Sequence, residues 1–251
     1  MDPGTGPQGD TGDAAAIGGP DGRHGPHAFV ADLDTPVLEP DDRHHLERAV
    51  RMRAGDPLTV ADGAGRWRAC RFGDDLEPVG PVRVEPAPSA AITIAFAPVK
   101  GDRPELVVQK LTELGVDEIV PFWAERSVVR WDATRAARQT ERLQRVAREA
   151  AMQCRRCRLP VIGAPVDFAE VATRRGAVLA ERDGPAPTWP TDGSGAGPVV
   201  LVGPEGGWTD AERVAVAGRI GFGGYVLRAE TAAITAAAVL AALRSGVARP
   251  V

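Results

Sequence analysis

Cysteine is scarce in this sequence, and its scarcity excludes two kinds of protein. The chain has three cysteines in 251 residues, Cys70, Cys154 and Cys157, too few and too unevenly spaced for the disulfide framework of a secreted domain. Cys154 and Cys157 form a C-x-x-C pair, but no second pair of cysteines or histidines stands at the spacing that a structural zinc site needs. We therefore predict reduced thiols and no metal.

Long apolar runs and a secretory leader are also missing. No window approaches the ~20 apolar residues that a membrane-spanning helix needs, and the N-terminus has neither the basic start nor the apolar run of a signal peptide. Residues 1–26 contain almost no large apolar side chain, so burial cannot offset the entropy lost on folding. We predict a disordered tail over residues 1–26 in a cytoplasmic protein without a membrane partner.

A positive net charge is absent as well, but the basic residues are concentrated. Thirty basic and 34 acidic residues give a formal charge of −4, yet residues 126–158 contain ten arginines against three acidic residues. A helix predicted at 133–153 places several of them on one face: Arg135, Arg138, Arg142 and Arg145. Either this face is simply solvated or it binds phosphate, and the shortage of acidic partners makes phosphate binding at least an equal interpretation.

Residues 27–88 have the pattern of a small domain with short strands. Asp41 and Asp42 can cap a helix at residues 43–51. Alternating segments at 58–62 and 67–72 flank the dipeptide Asp62-Gly63, which is typical of a hairpin. The proline-rich stretch 85–88 then ends this domain as a linker.

Residues 89–251 alternate strands with helices. The predicted strands are residues 92–96, 118–122, 177–180 and 199–202, and the predicted helices are residues 103–114, 133–153, 209–217 and 231–243. This alternation is typical of an α/β domain with a mostly parallel sheet. Ligands of such sheets bind at the carboxyl ends of the strands.

A glycine-rich loop follows the apolar strand 199–202. It reads Gly203-Pro204-Glu205-Gly206-Gly207 and is followed by Trp208, while Thr209 and Glu212 have the spacing of a capping box that starts a helix. Glycines at the end of a strand allow close approach of a ligand to the backbone. A tight turn alone explains one glycine more easily than three, so we predict a ligand-binding loop.

Two further segments carry charged residues at the same expected edge. Residues 225–235 pass from a predicted short strand at Tyr225 through Arg228 and Glu230 into an alanine-rich helix. They are either an ordinary helix start or a place where another segment packs closely. Glu125 and Arg126 fall just beyond the strand that ends near residue 122, and we favour a functional role for them over a surface ion pair.

Taken together, these segments resemble the bacterial 16S ribosomal RNA uridine N3-methyltransferases of the SPOUT class. The resemblance covers residues 29–243. It rests on Arg43-His44-His45-Leu46, Arg51-Met52-Arg53-Ala54-Gly55-Asp56, Gln109-Lys110, Thr112-Glu113-Leu114-Gly115-Val116, Glu125-Arg126-Ser127, Glu149-Ala150 with Gln153 and Arg156, the loop 203–207 and residues 227–233. The order and spacing of these motifs make the match specific. Positions 152 and 155 are Met and Arg, where many members of that family have Glu and Gly.

The resemblance implies an α/β fold in which a PUA-like RNA-binding β-barrel domain, residues 27–88, precedes a trefoil-knotted SPOUT methyltransferase domain, residues 89–251. It implies a homodimer and S-adenosylmethionine as cofactor, bent among three knot loops. The implied cofactor-binding residues are Leu179, Ala180, Glu181, Leu201, Val202, Gly203, Pro204, Glu205, Gly206, Gly207, Trp208, Val226, Leu227, Arg228, Ala229, Thr231, Ala232 and Ala233.

The implied partner is 16S ribosomal RNA, free or in the small subunit. The residues expected to contact it are Arg43, His44, Arg51, Arg53, Arg135, Arg138, Arg142, Arg145 and Arg156. The implied reaction is in-line displacement of the sulfonium methyl group by N3 of a uridine, which requires positioning, loss of the N3 proton and charge complementarity. The candidate catalytic residues are Arg126, Arg228, Glu205 and Glu230.

Other function classes stay open at this point. A nucleotide-dependent α/β protein would also have a glycine-rich loop, but the sequence has no G-x-x-x-x-G-K-S/T motif and its loop lies late in the chain. A methyltransferase acting on another RNA or position, or a non-catalytic RNA-binding factor, would keep the same scaffold. Calorimetric titration with S-adenosylmethionine separates a non-catalytic factor from an enzyme.

Overall fold

The computed structural model describes residues 20, 24–101, 103–190 and 196–249. The prediction of a disordered tail falls mostly on residues 1–19 and 21–23, which lie outside the described residues. No helix in the described ranges is both long and apolar enough to cross a membrane. Two sheets organise this part of the chain, and one long helix connects them.

The first sheet is formed by residues 27–84. Its strands are β1 (His27–Phe29), β2 (Pro57–Ala61), β3 (Arg66–Arg71), β4 (Glu77–Pro78) and β5 (Arg83–Val84), and helix α1 is Pro40–Arg48. The strand order is β1-β2-β3-β4, with β5 also paired to β3. The β1–β2 pair is parallel and the other pairs are antiparallel.

A tight turn connects β2 and β3, as the sequence predicted. The carboxylate of Asp62 accepts hydrogen bonds from two backbone N–H groups of the turn, at 2.8 and 3.0 Å. Gly63 and Gly65 have φ angles of 76° and 99°, a conformation that glycine adopts without steric cost. The turn therefore fixes a register in which Leu58 packs against Leu46 of α1 in the core of this unit.

The second sheet is parallel throughout. Its strands are β6 (Thr93–Phe96), β7 (Glu118–Trp123), β8 (Val161–Ile162), β9 (Val166–Asp167), β10 (Ala177–Ala180), β11 (Val199–Val202) and β12 (Gly218–Ile220). The order is β12-β10-β11-β6-β7-β8, and β9 also pairs with β7. Because every pairing is parallel, the loops that follow the strands all lie at one edge of the sheet.

Helices cover both faces of this sheet. They are α2 (Arg103–Glu113), α3 (Ala133–Cys154), α4 (Phe168–Ala172), α5 (Asp210–Ala215) and α6 (Ala229–Arg244). Strand β11 shows the arrangement: Val200 and Val202 lie in the core with α2, α3 and α6, whereas Val199 and Leu201 lie in the opposite core with Val171 of α4. A strand buried on both faces is apolar at every position, which explains its unbroken apolar run.

The carboxyl-terminal end of α3 joins the two sheets. An apolar cluster crosses the junction and contains Phe29, Ala61, Trp67, Ala151 and Cys157. The guanidinium of Arg148 donates to both carboxylate oxygens of Asp42, at 2.9 and 2.5 Å, and its central carbon lies 5.6 Å from the ring centre of Phe29. The first sheet is therefore fixed to the second through α3.

The predicted start and end of the first helix are wrong. Helix α1 begins at Pro40, with Glu39 as the capping residue, so Asp41 and Asp42 lie in its first turn and do not cap it. Proline suits the first helical position because its missing N–H would have no partner there. Arg51 has a φ of 63°, a left-handed conformation that lies outside the helix.

The short strand predicted at Tyr225 is also wrong. Residues 221–228 are irregular, and the strand of this region is β12, which lies five residues earlier. Helix α6 begins at Ala229, two residues before the predicted start, with Arg228 as the capping position. The irregular segment is therefore free to fold over the edge of the sheet.

Candidate active site

A cavity of about 530 Å³ lies at the carboxyl ends of β10, β11 and β12. It is lined by the segments that follow these three strands. The predicted cofactor residues that line it are Ala180, Glu181, Val202, Gly203, Pro204, Glu205, Gly207, Trp208, Val226, Leu227, Ala229 and Ala232. Three segments that are far apart in sequence thus meet, because parallel strands end at the same edge.

The remaining predicted cofactor residues do not line the cavity. They are Leu179, Leu201, Gly206, Arg228, Thr231 and Ala233. Leu179, Leu201 and Ala233 are buried in the apolar cores beneath it. Sequence reasoning missed a further set of lining residues, which no motif marks: Arg182, Asp183, Arg213, Arg219, Phe222, Gly223 and Tyr225.

The glycine-rich loop is held in place by the indole ring of Trp208. The ring is buried, lies parallel to that of Phe122 with centroids 6.0 Å apart, and donates from Nε1 to the carbonyl oxygen of Ala180 at 3.3 Å. A β-carbon at Gly203 would lie 2.9 Å from this ring, so glycine is required there. The predicted capping box is confirmed, since Thr209 and the Glu212 side chain bond reciprocally at the start of α5.

Arg126 reaches the glycine-rich loop from the neighbouring segment. Its guanidinium donates to the carbonyl oxygens of Gly206 and Trp208 at 3.0 and 3.2 Å, and the backbone N–H of Glu125 donates to Glu212 at 2.8 Å. The expectation that this pair lies at the ligand-binding edge agrees with this geometry. The contacts give Arg126 a role in holding the loop.

A second arginine, Arg103 at the start of α2, connects two of the candidate carboxylates. Its guanidinium lies 3.4 Å from Glu205 and 3.6 Å from Glu230. The side chain of Glu230 is only 12% exposed, whereas that of Glu205 is 65% exposed. The ion pair between Arg103 and Glu230 therefore holds the start of α6 near α2. The exposed carboxylate of Glu205 lines the cavity.

Glu181 forms an ion-pair network on the opposite wall. Its carboxylate accepts from Arg213 at 2.7 Å and lies 3.3 Å from Arg219. The hydrogen bond to Glu181, followed by their charge attraction, raises the pKa of Arg213. These contacts fix the side chains of α5 and β12 against the segment that follows β10.

Comparison with known proteins identifies the family of this chain. A family model described as an RNA methyltransferase domain matches residues 85–241. The chain belongs to this RNA methyltransferase family. Ribosomal RNA small subunit methyltransferase E from Synechocystis is 32% identical over 83% of this chain and 73% of its own length. The protein of the same name from Mycobacterium tuberculosis is 31% identical over 83% of this chain and 87% of its own length.

Solved structures of methyltransferases share the fold. Ribosomal RNA small subunit methyltransferase E from Neisseria gonorrhoeae, solved bound to S-adenosyl methionine, is 25% identical with a TM-score of 0.74, over 87% of this chain and 97% of that one. A structure from Legionella pneumophila with bound SAM is 26% identical with a TM-score of 0.71, over 86% and 96%. The predicted α/β class and the predicted family are therefore confirmed.

The residues of this RNA methyltransferase that were expected to contact RNA fall into two groups. Most are exposed: His44, Arg51, Arg53, Arg135, Arg138, Arg142 and Arg145. Arg43 and Arg156 are engaged within the protein. Arg43 donates to the carbonyl oxygens of Gly73 and Asp74, at 2.8 and 2.9 Å.

The side chain of Arg156 is held by hydrogen bonds within the protein. Its guanidinium donates to the carbonyl oxygen of Val116 at 2.6 Å and to Asp117 at 3.2 Å, and burial lowers its pKa. These contacts give Arg156 a structural role between α3 and β7. The expected contact of Arg156 with RNA stays a prediction.

The cysteines of the C-x-x-C pair lie at the junction of the two sheets. Both thiols are free, and burial raises the pKa of Cys154 and of Cys157. Within the described ranges, no group of three or more His, Cys, Asp or Glu side chains is placed to hold a metal ion. The buried thiol of Cys157 serves as an apolar side chain of the junction.

Proposed function

We propose that this chain transfers a methyl group from S-adenosylmethionine to N3 of a uridine in 16S ribosomal RNA of the small subunit. The observation that carries this proposal is the cavity at the carboxyl ends of β10, β11 and β12, where the glycine-rich loop meets the segments after β10 and β12. The relationship to a small-subunit methyltransferase solved with S-adenosyl methionine supports it.

The cavity suits S-adenosylmethionine in size and lining. Its volume of about 530 Å³ falls within the ~300–1,000 Å³ of small-molecule sites. Gly203, Gly207, Ala229 and Ala232 line it with backbone and methyl groups, so a ligand can approach the main chain closely. The bound cofactor supplies an electrophilic methyl group, and the protein contributes the alignment of that group with the uridine.

Two of the four catalytic candidates, Arg228 and Glu205, have exposed side chains that can reach a substrate. Arg228 is exposed, and its side chain has no hydrogen-bond or ion-pair partner among the described residues; we assign it to the charge that develops on the uracil oxygens. Glu205 lines the cavity and is assigned to accept the N3 proton, directly or through water. Arg126 and Glu230 hold the surrounding loops.

The decisive test identifies the methylated atom. The protein is incubated with labelled S-adenosylmethionine and unmodified small-subunit RNA, and the RNA is digested to nucleosides. We expect the label in 3-methyluridine, because N3 of the uridine is the proposed nucleophile. Label in a 2′-O-methyl or C5-methyl nucleoside would contradict the assignment, and an absence of label would favour a non-catalytic RNA-binding factor.

We propose finer features of the architecture on the same basis. The mixed sheet of β1–β5, which has its own core, supports a PUA-like RNA-binding domain at residues 27–88. After β12, at one end of the sheet, the chain passes over the cavity and enters α6, which packs near β6 and β11. This crossing supports a trefoil knot in the domain of residues 89–251. A ribosomal RNA substrate also places the enzyme in the cytoplasm.

A further inference from the structure

A second cleft lies at the same edge of the parallel sheet as the cavity. Its volume is about 440 Å³, and it lies at the carboxyl ends of β6 and β7, between the loop before α2, the loop of residues 128–131 and the first turns of α3. Strand β6 pairs directly with β11, so the loops of the cleft and of the cavity are neighbours. Arg126, which follows β7, and Arg103, at the start of α2, both contact the glycine-rich loop of the cavity.

The cleft is strongly cationic. The charged residues that line it are Lys100, Arg130, Arg135, Arg142 and, as the one carboxylate among the described lining residues, Glu105. Two of the arginines are fixed in place: Arg142 lies 2.9 Å from Glu105, and Arg130 donates to the carbonyl oxygen of Ala124 at 3.0 Å. The net charge of this lining is therefore about three positive charges, from four cations and one anion.

Lys100 and Arg135 are the cations available to a ligand. Both side chains are exposed, and neither forms an ion pair with another residue of the described ranges. They line the cleft from two different elements, Lys100 from the loop before α2 and Arg135 from the first turn of α3, so each can contact a different phosphate of a bound strand. Arg138 and Arg145 lie on the same helix as Arg135 but do not line the cleft.

We infer that this cationic cleft binds the backbone phosphates of the RNA strand whose uridine enters the cavity. This inference rests on the proposed function and deepens it, since it gives the substrate a path along the edge of the sheet. Trp131 lines the cleft but is only 6% exposed, so the described lining residues offer no aromatic face for stacking a base. The cleft is therefore a site for phosphate rather than for base recognition.

The test compares single alanine variants of Lys100 and Arg135 with the parent protein. A matched control is Arg175→Ala, which removes an exposed arginine just before β10, at the opposite edge of the sheet. RNA binding is measured by fluorescence anisotropy over a range of salt concentrations, using a fragment that contains the methylated uridine. Affinity for S-adenosylmethionine is measured by calorimetry in the same preparations.

Each cleft variant should weaken RNA binding and reduce the log–log salt slope by about 1, and the double variant by about 2, because each lost contact releases one fewer counterion. Affinity for S-adenosylmethionine should stay at the parent value. Arg135→Lys, which keeps the charge, should retain the slope. If Arg135→Ala does not fold, Arg135→Gln carries the same test.

An unchanged slope in the Lys100 and Arg135 variants would overturn the inference and assign these charges to solvent. An equal decrease of the log–log salt slope in Arg175→Ala would also overturn the inference, because the decrease would then reflect the overall charge of the protein. A failure of the proposed function is a separate result, since the parent protein would then place no label in 3-methyluridine.

Discussion

At the scale of single residues, the cavity depends on how closely Gly203 approaches the ring of Trp208. A methyl group at position 203 would lie 2.9 Å from the indole, well inside the ~3.5–4.0 Å of a relaxed carbon contact. We expect Gly203→Ala to displace the ring and weaken binding of S-adenosylmethionine about tenfold, as overpacking costs roughly 1–3 kcal/mol. Calorimetry measures this, and Gly80→Ala, which meets open space, is the control that keeps the parent affinity.

Replacement of the single residue Arg228 tests the proposed methyl transfer. Removing a group that stabilises developing oxyanion charge lowers turnover by about 10²–10³-fold, and Arg228 does not line the cavity. We therefore expect Arg228→Ala to reduce kcat strongly and to change the affinity for S-adenosylmethionine little, with partial recovery in Arg228→Lys. Equal losses in turnover and in cofactor affinity would instead make Arg228 a cofactor-binding residue.

His27 gives the fold a pH dependence. Burial, followed by the nearby charge of Arg155, lowers its pKa from 6.5 to about 4, and one ring nitrogen lies 2.8 Å from the hydroxyl of Thr59. Below pH 6.5 the unfolded chain binds a proton that the folded chain binds only near pH 4. Stability is therefore full above pH 6.5 and should fall by about 2–3 kcal/mol as the pH drops to about 4.

Urea denaturation of the parent and of His27→Gln between pH 4 and pH 7 checks this. The variant has no imidazole to protonate, so its stability should fall less over that range. Equal pH dependence in the two proteins would assign the loss to other groups.

At the scale of secondary structure, the sequence correctly predicted those strands whose apolar pattern depends only on burial. The bounds of β10 and β11 match the prediction because a strand covered on both faces is an unbroken apolar run. The start of α1 was mispredicted because Asp41 and Asp42 fit a capping pattern equally well inside the first turn. Tyr225 and Val226 suggested a strand, but they are 87% and 82% exposed and pair with none.

An ion pair between Arg148 and Asp42 joins α3 to α1. Arg148 bonds to both oxygens of Asp42 and packs over Phe29. Loss of one partner leaves the other charge partly buried, so we expect Arg148→Ala to lower the free energy of unfolding by about 2–3 kcal/mol. The exposed Arg145→Ala, one turn earlier, should change it by less than about 0.5 kcal/mol. Urea denaturation measures the free energy of unfolding of both variants. Similar small decreases in the two would show that the ion pair between Arg148 and Asp42 contributes little.

At the scale of the whole molecule, the sequence predicted the main segments around the candidate site better than the full lining of the cavity. The glycine-rich loop was recognisable from its three glycines after an apolar strand, whereas the segment of residues 226–232 was assigned only by the family resemblance. Arg103, Arg213 and Arg219 were not, because their roles come from strand order and helix packing. The sequence alone does not show which distant segments a parallel sheet brings together.

We also predict a symmetric homodimer. Tyr225 and Val226 expose apolar surface beside the cavity, and contiguous exposed apolar side chains are typical of interaction surfaces. Light scattering at micromolar concentration should give twice the mass of one chain, and Tyr225→Asp/Val226→Asp should shift it toward one. Val214→Asp, at a residue 84% exposed on α5, is the control that should remain dimeric. A parent protein that scatters as a monomer contradicts the prediction.

Helix α3 extends from the cationic cleft, at Arg135, to the first sheet, at Arg148 and Cys154. Its 22 residues make a rod about 33 Å long. An RNA that engages both ends of this rod must therefore be at least that long. We therefore expect that an RNA fragment shorter than this rod occupies one end of it and not both.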